Sequence, residues 1–288
     1  MLHKKRVATS LYYAAKLRLR KVLGISPRHT AAPVLNYATK IAVERHAWIC
    51  RSILDHFPPG LDLNGGAVCE VGAGDCLASS SLFLAKGARR VNIVEVEPPT
   101  INEKQFEILQ ALRDQEYPVD LTILARNSQW QLDRSRVAYH QCFMEQFASE
   151  DQHNLLFSFS VIEHVEDLGE FYKSCRRALA PDGWMLHLVD LGGHVLFEDP
   201  LPPLDFQTYP DWLYDLMFPK YHRATRRFLH EHLDAIQKAG FKIEKITPTR
   251  KADAAYLDKI WPNLRKNARQ KPRDEVAVVE FAVLARNV

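Results

Sequence analysis

Six consecutive residues, Glu70-Val71-Gly72-Ala73-Gly74-Asp75, set two glycines and flanking carboxylates at the end of a short apolar run. Glycine lets the backbone approach a ligand closely and adopt left-handed geometry. The free N–H groups of a helix that follows such a turn attract electron-rich ligand atoms. A second apolar run, 91–96, contains Glu95, about 20 positions after Gly72; at that spacing an acid on the next strand accepts hydrogen bonds from ribose hydroxyls. The dinucleotide pattern G-x-G-x-x-G needs glycine at position 77, where Leu77 stands. That third glycine serves close packing of helix on strand, so the loop suits an adenosine ligand without pyrophosphate better than a dinucleotide. Glu70 adds an acceptor able to pair with an ammonium group.

Candidate bases follow other apolar runs. His164 comes after the run 155–160, and Asp190 and His194 come after 184–189, in Asp190-Leu191-Gly192-Gly193-His194. An imidazole titrates near neutral pH, which suits proton removal from a hydroxyl; each histidine also reads as a structural residue. Glu163 reads as a packing or tethering residue, or as a ligand contact. His230 and His232 are two apart on a predicted helix and point to different faces, a poor metal pair. The five cysteines, Cys50, Cys69, Cys76, Cys142 and Cys175, are scattered with no C-x-x-C pair. Free thiols in a reducing, cytoplasmic setting are expected, with no disulfide framework and no metal.

These groups need a scaffold, and hydrophobic rhythm predicts one. Strands are expected at 67–71, 91–96, 137–143, 155–160, 184–189, 241–246 and 276–284, with a further short one at 121–124. Helices are expected after Asp75 up to Gly87, from Thr100–Glu103 to about 114, at about 167–179 and at about 224–239. Alternating strands and helices imply βαβ units, and continuous apolar strands imply a sheet covered on both faces. The fold class is α/β: a Rossmann-like, doubly wound, mostly parallel seven-stranded sheet. A basic helical extension (1–60) precedes the main domain (61–288). A cover insertion (190–224) follows the fifth strand. Phe197, Phe206, Tyr209, Trp212, Tyr214, Phe218 and Tyr221 crowd this region, as a pocket for a small organic ligand or as a local mini-core. Arg223, Arg226 and Arg227 read as an anion receptor or as a solvated face.

The chain has 288 residues, 47% hydrophobic and 25% charged, with a formal net charge of +3. That charge is too small to imply nucleic acid. No apolar stretch approaches the roughly 18–20 residues that span a bilayer. Residues 1–43 contain no Asp or Glu and nine Lys or Arg. Ala8, Leu11, Tyr12, Ala15, Leu19 and Val22 recur there at helical spacing, which reads as a loosely docked terminal helix or a weak membrane-surface contact. The run 7–15 is too short and too polar for a signal peptide.

Glu70-Val71-Gly72-Ala73-Gly74-Asp75 resembles the first motif of class I S-adenosylmethionine-dependent methyltransferases, and Val94-Glu95-Val96 resembles their second-strand acid. Ser158-Phe159-Ser160-Val161-Ile162-Glu163-His164-Val165, followed by Cys175-Arg176-Arg177-Ala178-Leu179-Ala180-Pro181-Asp182-Gly183, is similar to their fourth strand and the helix and turn after it. The resemblance covers about residues 67–189. It implies S-adenosylmethionine as cofactor, with Glu70, Gly72 and Gly74 at its methionine end and Glu95 with Val96 at the ribose. The loop Phe143-Met144-Glu145 would meet the adenine, and Ser160 would line the cleft. Many members carry an Asp near Phe143 or Met144; here Glu145 or backbone groups must substitute. The expected activity is O-methylation of a small molecule or sugar-containing metabolite, with His194, His164 or Asp190 assisting. The alternatives are a non-catalytic methyltransferase-like binding module and a nicotinamide-dependent oxidoreductase. The Pro-Pro-Tyr-type loop of many nucleic-acid methyltransferases is absent after the fourth strand, so no nucleic-acid partner is expected.

Overall fold

The computed structural model describes residues 38–97, 99–193, 202–217 and 223–288, together with Ala8, Leu11, Tyr12, Ala15, Lys16, Arg18 and Leu19. His194, Phe197, Phe218 and Tyr221 lie outside the described residues.

A seven-stranded sheet organises the chain. In chain order its strands are β1 (Ala67–Val71), β2 (Arg90–Val94), β5 (Val137–His140), β6 (His153–Phe159), β7 (Leu179–Asp190), β8 (Phe241–Lys251) and β9 (Val278–Asn287); β3 (Leu124–Arg126) and β4 (Trp130–Leu132) form a separate hairpin. The spatial order is β5-β2-β1-β6-β7-β9-β8. The pairs from β5 across to β7 are parallel, and β9 runs antiparallel to both neighbours. Strand order reverses between β1 and β6, which opens a crevice beyond their carboxyl ends, where such sheets bind ligands. Register aligns those ends: Val71 pairs with Val94 on one side and Ser158 on the other. The residues that follow, Gly72, Glu95 and Phe159, therefore emerge along one edge.

Alternation along the strands fills two layers. Val68 and Phe157 join the core under α1 (Thr39–Asp55), α2 (Ala78–Ala85) and α3 (Glu103–Asp114), while Cys69, Val71 and Leu156 join the core under α4 (Leu168–Ala178) and α6 (Leu229–Lys238). The apolar stripe of α4 shows why it packs: Leu168, Phe171, Tyr172 and Cys175 are buried at helical spacing, behind an Asp167 cap that accepts from the Glu170 N–H at 3.0 Å. A third core joins the cover to the chain's end. Leu204, Phe206, Tyr209, Leu213 and Tyr214 from the segment containing α5 (Asp211–Met217) pack with residues of α7 (Ala254–Ile260), α8 (Lys266–Arg269) and α9 (Arg273–Val276).

Several local expectations change. Asp75 does not cap α2, which starts at Ala78 behind Leu77 with no side-chain cap. Asn102 rather than Thr100 caps α3. The segment 121–123 is a 3-10 turn, and the strand follows at 124. Helix α6 begins at Leu229, five residues later than its apolar pattern implies, because residues 223–227 form a non-helical strap in which Arg226 has a left-handed φ of +61°. The polar stretch between β8 and β9 holds three short helices that no periodicity marked. Helix α1, which the sequence reading groups with the basic extension, sinks seven residues into the sheet's core.

Four histidines are buried in these layers, among them His153 on β6, whose pKa burial lowers; three carry larger shifts, His46 on α1, His187 on β7 and His232 on α6. Burial pushes His187 and His232 down to about 3 and His46 to about 4. Unfolded, all three take up protons near pH 6.5, so the unfolded chain binds more protons between that value and the native ones, and stability falls as pH falls. Each contributes about 1.4 kcal/mol per pH unit in that window. Glu70, raised to about 7 by burial, acts in the opposite sense between about 4.5 and 7 and offsets one of the three. Urea midpoints are therefore expected to drop between about pH 6.5 and about pH 5, and His187→Phe should flatten the slope. A midpoint that stays level or rises on acidification contradicts this account.

Candidate active site

The loop after β1 is the floor of the crevice. Gly72 and Gly74 both adopt left-handed backbone geometry, with φ of +74° and +65°. A Cβ on Gly72 would lie 2.2 Å from Cγ2 of Val161, whereas nothing lies within 4 Å of one on Gly74. Gly72 is thus a packing requirement as well as a turn, and the Gly74 backbone faces open space. The Gly72 N–H donates to the Val94 carbonyl at 2.9 Å, continuing the β1–β2 ladder into the turn.

Glu95 pins this loop. Its Oε2 accepts from the Gly74 N–H at 3.0 Å, and its Oε1 accepts from the Val96 and Glu97 N–H groups at 2.7 and 3.2 Å. A carboxylate offers about four acceptor positions; three are used, and the side that holds Gly74 retains capacity for a hydroxyl donor. Gln105 on α3, fully buried, supports the same turn from behind. Its Oε1 accepts from the Leu77 N–H at 3.1 Å, and its Nε2 donates to the carbonyls of Asp75 and Thr100. Sequence reading missed Gln105, because nothing local distinguishes it from a solvated helix residue.

Glu70 lies beneath the loop rather than in it. It is buried, and both its oxygens accept from the hydroxyls of Ser79 and Ser80 on the first turn of α2. Burial drives its pKa up, the two hydroxyls hold it back, and the Glu95 charge adds to the rise, leaving it near about 7. Among the described residues no cation is paired with it.

At the carboxyl end of β6 the chain turns sharply. Ser160 has φ +52°, and its N–H donates to the Leu188 carbonyl at 2.9 Å. A non-glycine residue in that region is held there by its surroundings. The turn aims Val161 at Gly72 and leads into the 3-10 segment Ile162–His164. His164 Nδ1 lies 3.1 Å from the Arg223 carbonyl. A carbonyl only accepts, so Nδ1 carries the proton and Nε2 carries the lone pair. The buried Glu163 places Oε1 4.0 Å from that Nε2.

The strap 223–227 runs along this segment. Thr225 N–H donates to the Glu163 carbonyl at 2.7 Å, and Arg227 donates to the carbonyls of Val165 and Glu166. Arg223 pairs with Asp215 and Glu166. Arg226 is buried, donates to the Tyr209 carbonyl and to Asp211, and lies over the Tyr214 ring. The three arginines are therefore structural, neither an anion receptor nor a solvated face. Phe206, Tyr209 and Tyr214 form the mini-core, and Trp212 is exposed.

Asp190 ends β7 directly across from Glu280 on β9. Its Oδ1 accepts from the Gly192 N–H at 2.8 Å and lies 3.5 Å from Nη2 of Arg250, which holds Glu280 at 2.6 Å. Burial raises the Glu280 pKa; Arg250 opposes this, while the charges of Asp190 and Glu163 add to it. Asp190 and Glu163 thus lie in one electrostatic neighbourhood, to which Glu280 and Arg250 contribute from strands the motif search did not reach. On the far side, Met144 is buried in the 3-10 turn after β5, Glu145 is partly exposed and Phe143 is exposed. Trp48 of α1 meets Phe159 edge to face, centroids 4.9 Å apart, and forms another wall.

Among known families, residues 43–246 match the model of a methyltransferase domain. The search of curated proteins found no match. Solved structures share the fold. The geranyl diphosphate C-methyltransferase of Streptomyces coelicolor A3(2) superposes with a TM-score of 0.50 at 11% identity, covering 87% of this chain and 82% of its own. An S-adenosylmethionine-dependent methyltransferase from Mesorhizobium loti gives 0.44 at 15% identity, covering 88% and 99%.

The two glycines are expected to differ in cost. Gly72→Ala combines a left-handed φ with a collision against Val161 and should lose about 3 kcal/mol. Gly74→Ala carries only the backbone term, about 1 kcal/mol. Val161→Ala should restore part of the first loss and none of the second. Urea unfolding of the four variants checks this, and equal costs at both glycines would overturn the packing role assigned to Gly72.

Proposed function

The chain belongs to the methyltransferase domain family and is an S-adenosylmethionine-dependent methyltransferase; we propose that it methylates a hydroxyl oxygen of a small molecule or sugar-containing metabolite. The observation that carries the choice of acceptor is His164. Its Nδ1–H is committed to the Arg223 carbonyl, and its Nε2 lone pair has the Glu163 carboxylate 4.0 Å away. A neutral imidazole so oriented can remove a hydroxyl proton, and a buried carboxylate beside it stabilises the imidazolium that results. An amine acceptor would need only delivery in its neutral form.

When bound, S-adenosylmethionine supplies a methyl carbon already activated by its positive sulfur. The chain's own residues then bind and orient. Glu95 would take a ribose hydroxyl on the oxygen that holds Gly74, and Gly72 and Gly74 would pass the methionine end close to the backbone. Val96, Met144, Glu145 and Ser160 would line the adenine side and the cleft. Glu70 would tune the loop from below through Ser79 and Ser80. Asp190, anchored to the Gly192 N–H beside Arg250, would serve as a fixed negative charge on the substrate side, and its charge favours protonation of nearby groups. His194, read from the sequence alone, would complete that side. Holding the acceptor oxygen and the methyl carbon in line contributes several kcal/mol of barrier lowering by itself.

Calorimetric titration with S-adenosylhomocysteine should give a single site, and Glu95→Ala should weaken it by about 1–3 kcal/mol. Transfer of a labelled methyl group from S-adenosylmethionine should mark hydroxyl acceptors in a mixed panel. His164→Gln should lower kcat by about 100-fold with cofactor affinity unchanged. Labelling of amines alone, or full turnover in His164→Gln, would refute the O-methylation reading.

A further inference from the structure

Among the described residues the N-terminal segment is helical at Ala8, Leu11, Tyr12, Ala15, Lys16, Arg18 and Leu19. At 100° per residue, Ala8, Tyr12, Ala15 and Leu19 fall within an arc of about 60° on that helix. All four face solvent, Tyr12 at 65% and Leu19 at 59% exposure. One flank of the stripe docks on the domain: Leu11 packs against the cover core, and Arg18 Nη2 donates to the Leu216 carbonyl at 3.4 Å. That bond brings the end of the stripe to α5, where Trp212 (68%) and Leu216 (36%) are also exposed, one helical turn apart. A docked helix thus turns its apolar stripe outward, beside a second exposed apolar pair.

We infer that this face is an interfacial anchor that lays the cover side of the molecule on an anionic lipid bilayer. Charge selects the occupant. Lys16 flanks the stripe and is exposed, and residues 1–43 hold nine Lys or Arg with no Asp or Glu. An exposed apolar stripe in a segment rich in Lys and Arg and devoid of acids matches the headgroup boundary of an acidic membrane: the apolar side chains enter the interface, and the net positive charge of the segment favours anionic lipid. Trp212 and Tyr12 are the side chains that best tolerate an apolar body beside a wet polar tip. Among the described residues no helix is long and apolar enough to cross a membrane, so the contact is peripheral. A bilayer also needs no shape-matched partner, which suits a narrow stripe of two alanines and two large residues. The inference does not depend on the methyl acceptor.

Sedimentation of the full chain with vesicles tests it. The protein should pellet with vesicles of phosphatidylcholine and phosphatidylglycerol, stay in solution with phosphatidylcholine alone, and be released by high salt. Leu19→Glu and Lys16→Glu should each reduce the bound fraction by about tenfold. Both positions are exposed, and unchanged S-adenosylhomocysteine affinity in the variants establishes that the fold and the cofactor site are intact. A chain that fails to pellet with the acidic vesicles, or a Leu19→Glu variant that binds as well as the parent, overturns the anchor. So does light scattering that shows a dimer dissolved by Leu19→Glu, which would assign the stripe to a second copy of the chain. Loss of cofactor binding without loss of vesicle binding would instead count against the methyltransferase site alone.

Discussion

The carboxylate of Glu95 holds the site together. It is buried at the end of β2, and it gathers three backbone N–H groups, from Gly74 on the neighbouring loop and from Val96 and Glu97 on its own. Three donors on one buried carboxylate fix two loops relative to each other, at the point where parallel strands stop and offer no further ladder. The ladder itself delivers the parts to that point, because Val71, Val94 and Ser158 share one register line. Gln105 then closes the back of the turn, and Val161 closes its roof over Gly72. The loop is held by contacts from the end of β2, from Val161 after β6 and from Gln105 on α3.

Opposite this clasp, the cover is tied down by peptide groups. The strap 223–227 lies along 163–166, and most of its contacts are side chain to carbonyl or backbone to backbone. The strap therefore sets the tautomer of His164. The arginines that might have met a substrate are consumed in this work. The negative charge gathered near the ends of β6, β7 and β9 comes from Glu163, Asp190 and Glu280, partly neutralised by Arg250.

The N-terminal helix belongs to the same mechanical unit. Leu11 and Arg18 join it to the cover, and the cover joins it to the strap. Glu70 and the buried histidines sit in the opposite position: they are shielded from solvent within the sheet layers, and their titration reports on the integrity of the fold.

The strand-loop-helix order, the parallel sheet and the residues of the clasp were legible in the chain itself. Continuous apolar runs, a G-x-G turn and an acid about 20 positions on are local patterns with direct physical causes. The same reading located His164 and Asp190 at strand ends, since strand ends are marked by where apolar runs stop. It could not say that Gly72 is required by Val161, that Gln105 supports the turn, or that Glu70 answers to two serines, because these contacts join residues from different elements. It also left open whether the aromatic segment was a pocket or a mini-core. Tertiary structure decided that by supplying partners from 254–279, a stretch whose short helices are too brief to leave a periodicity. Local sequence sets which residues can be buried and where the backbone can turn; which side chains meet across the crevice depends on how the layers close, and no single segment encodes that.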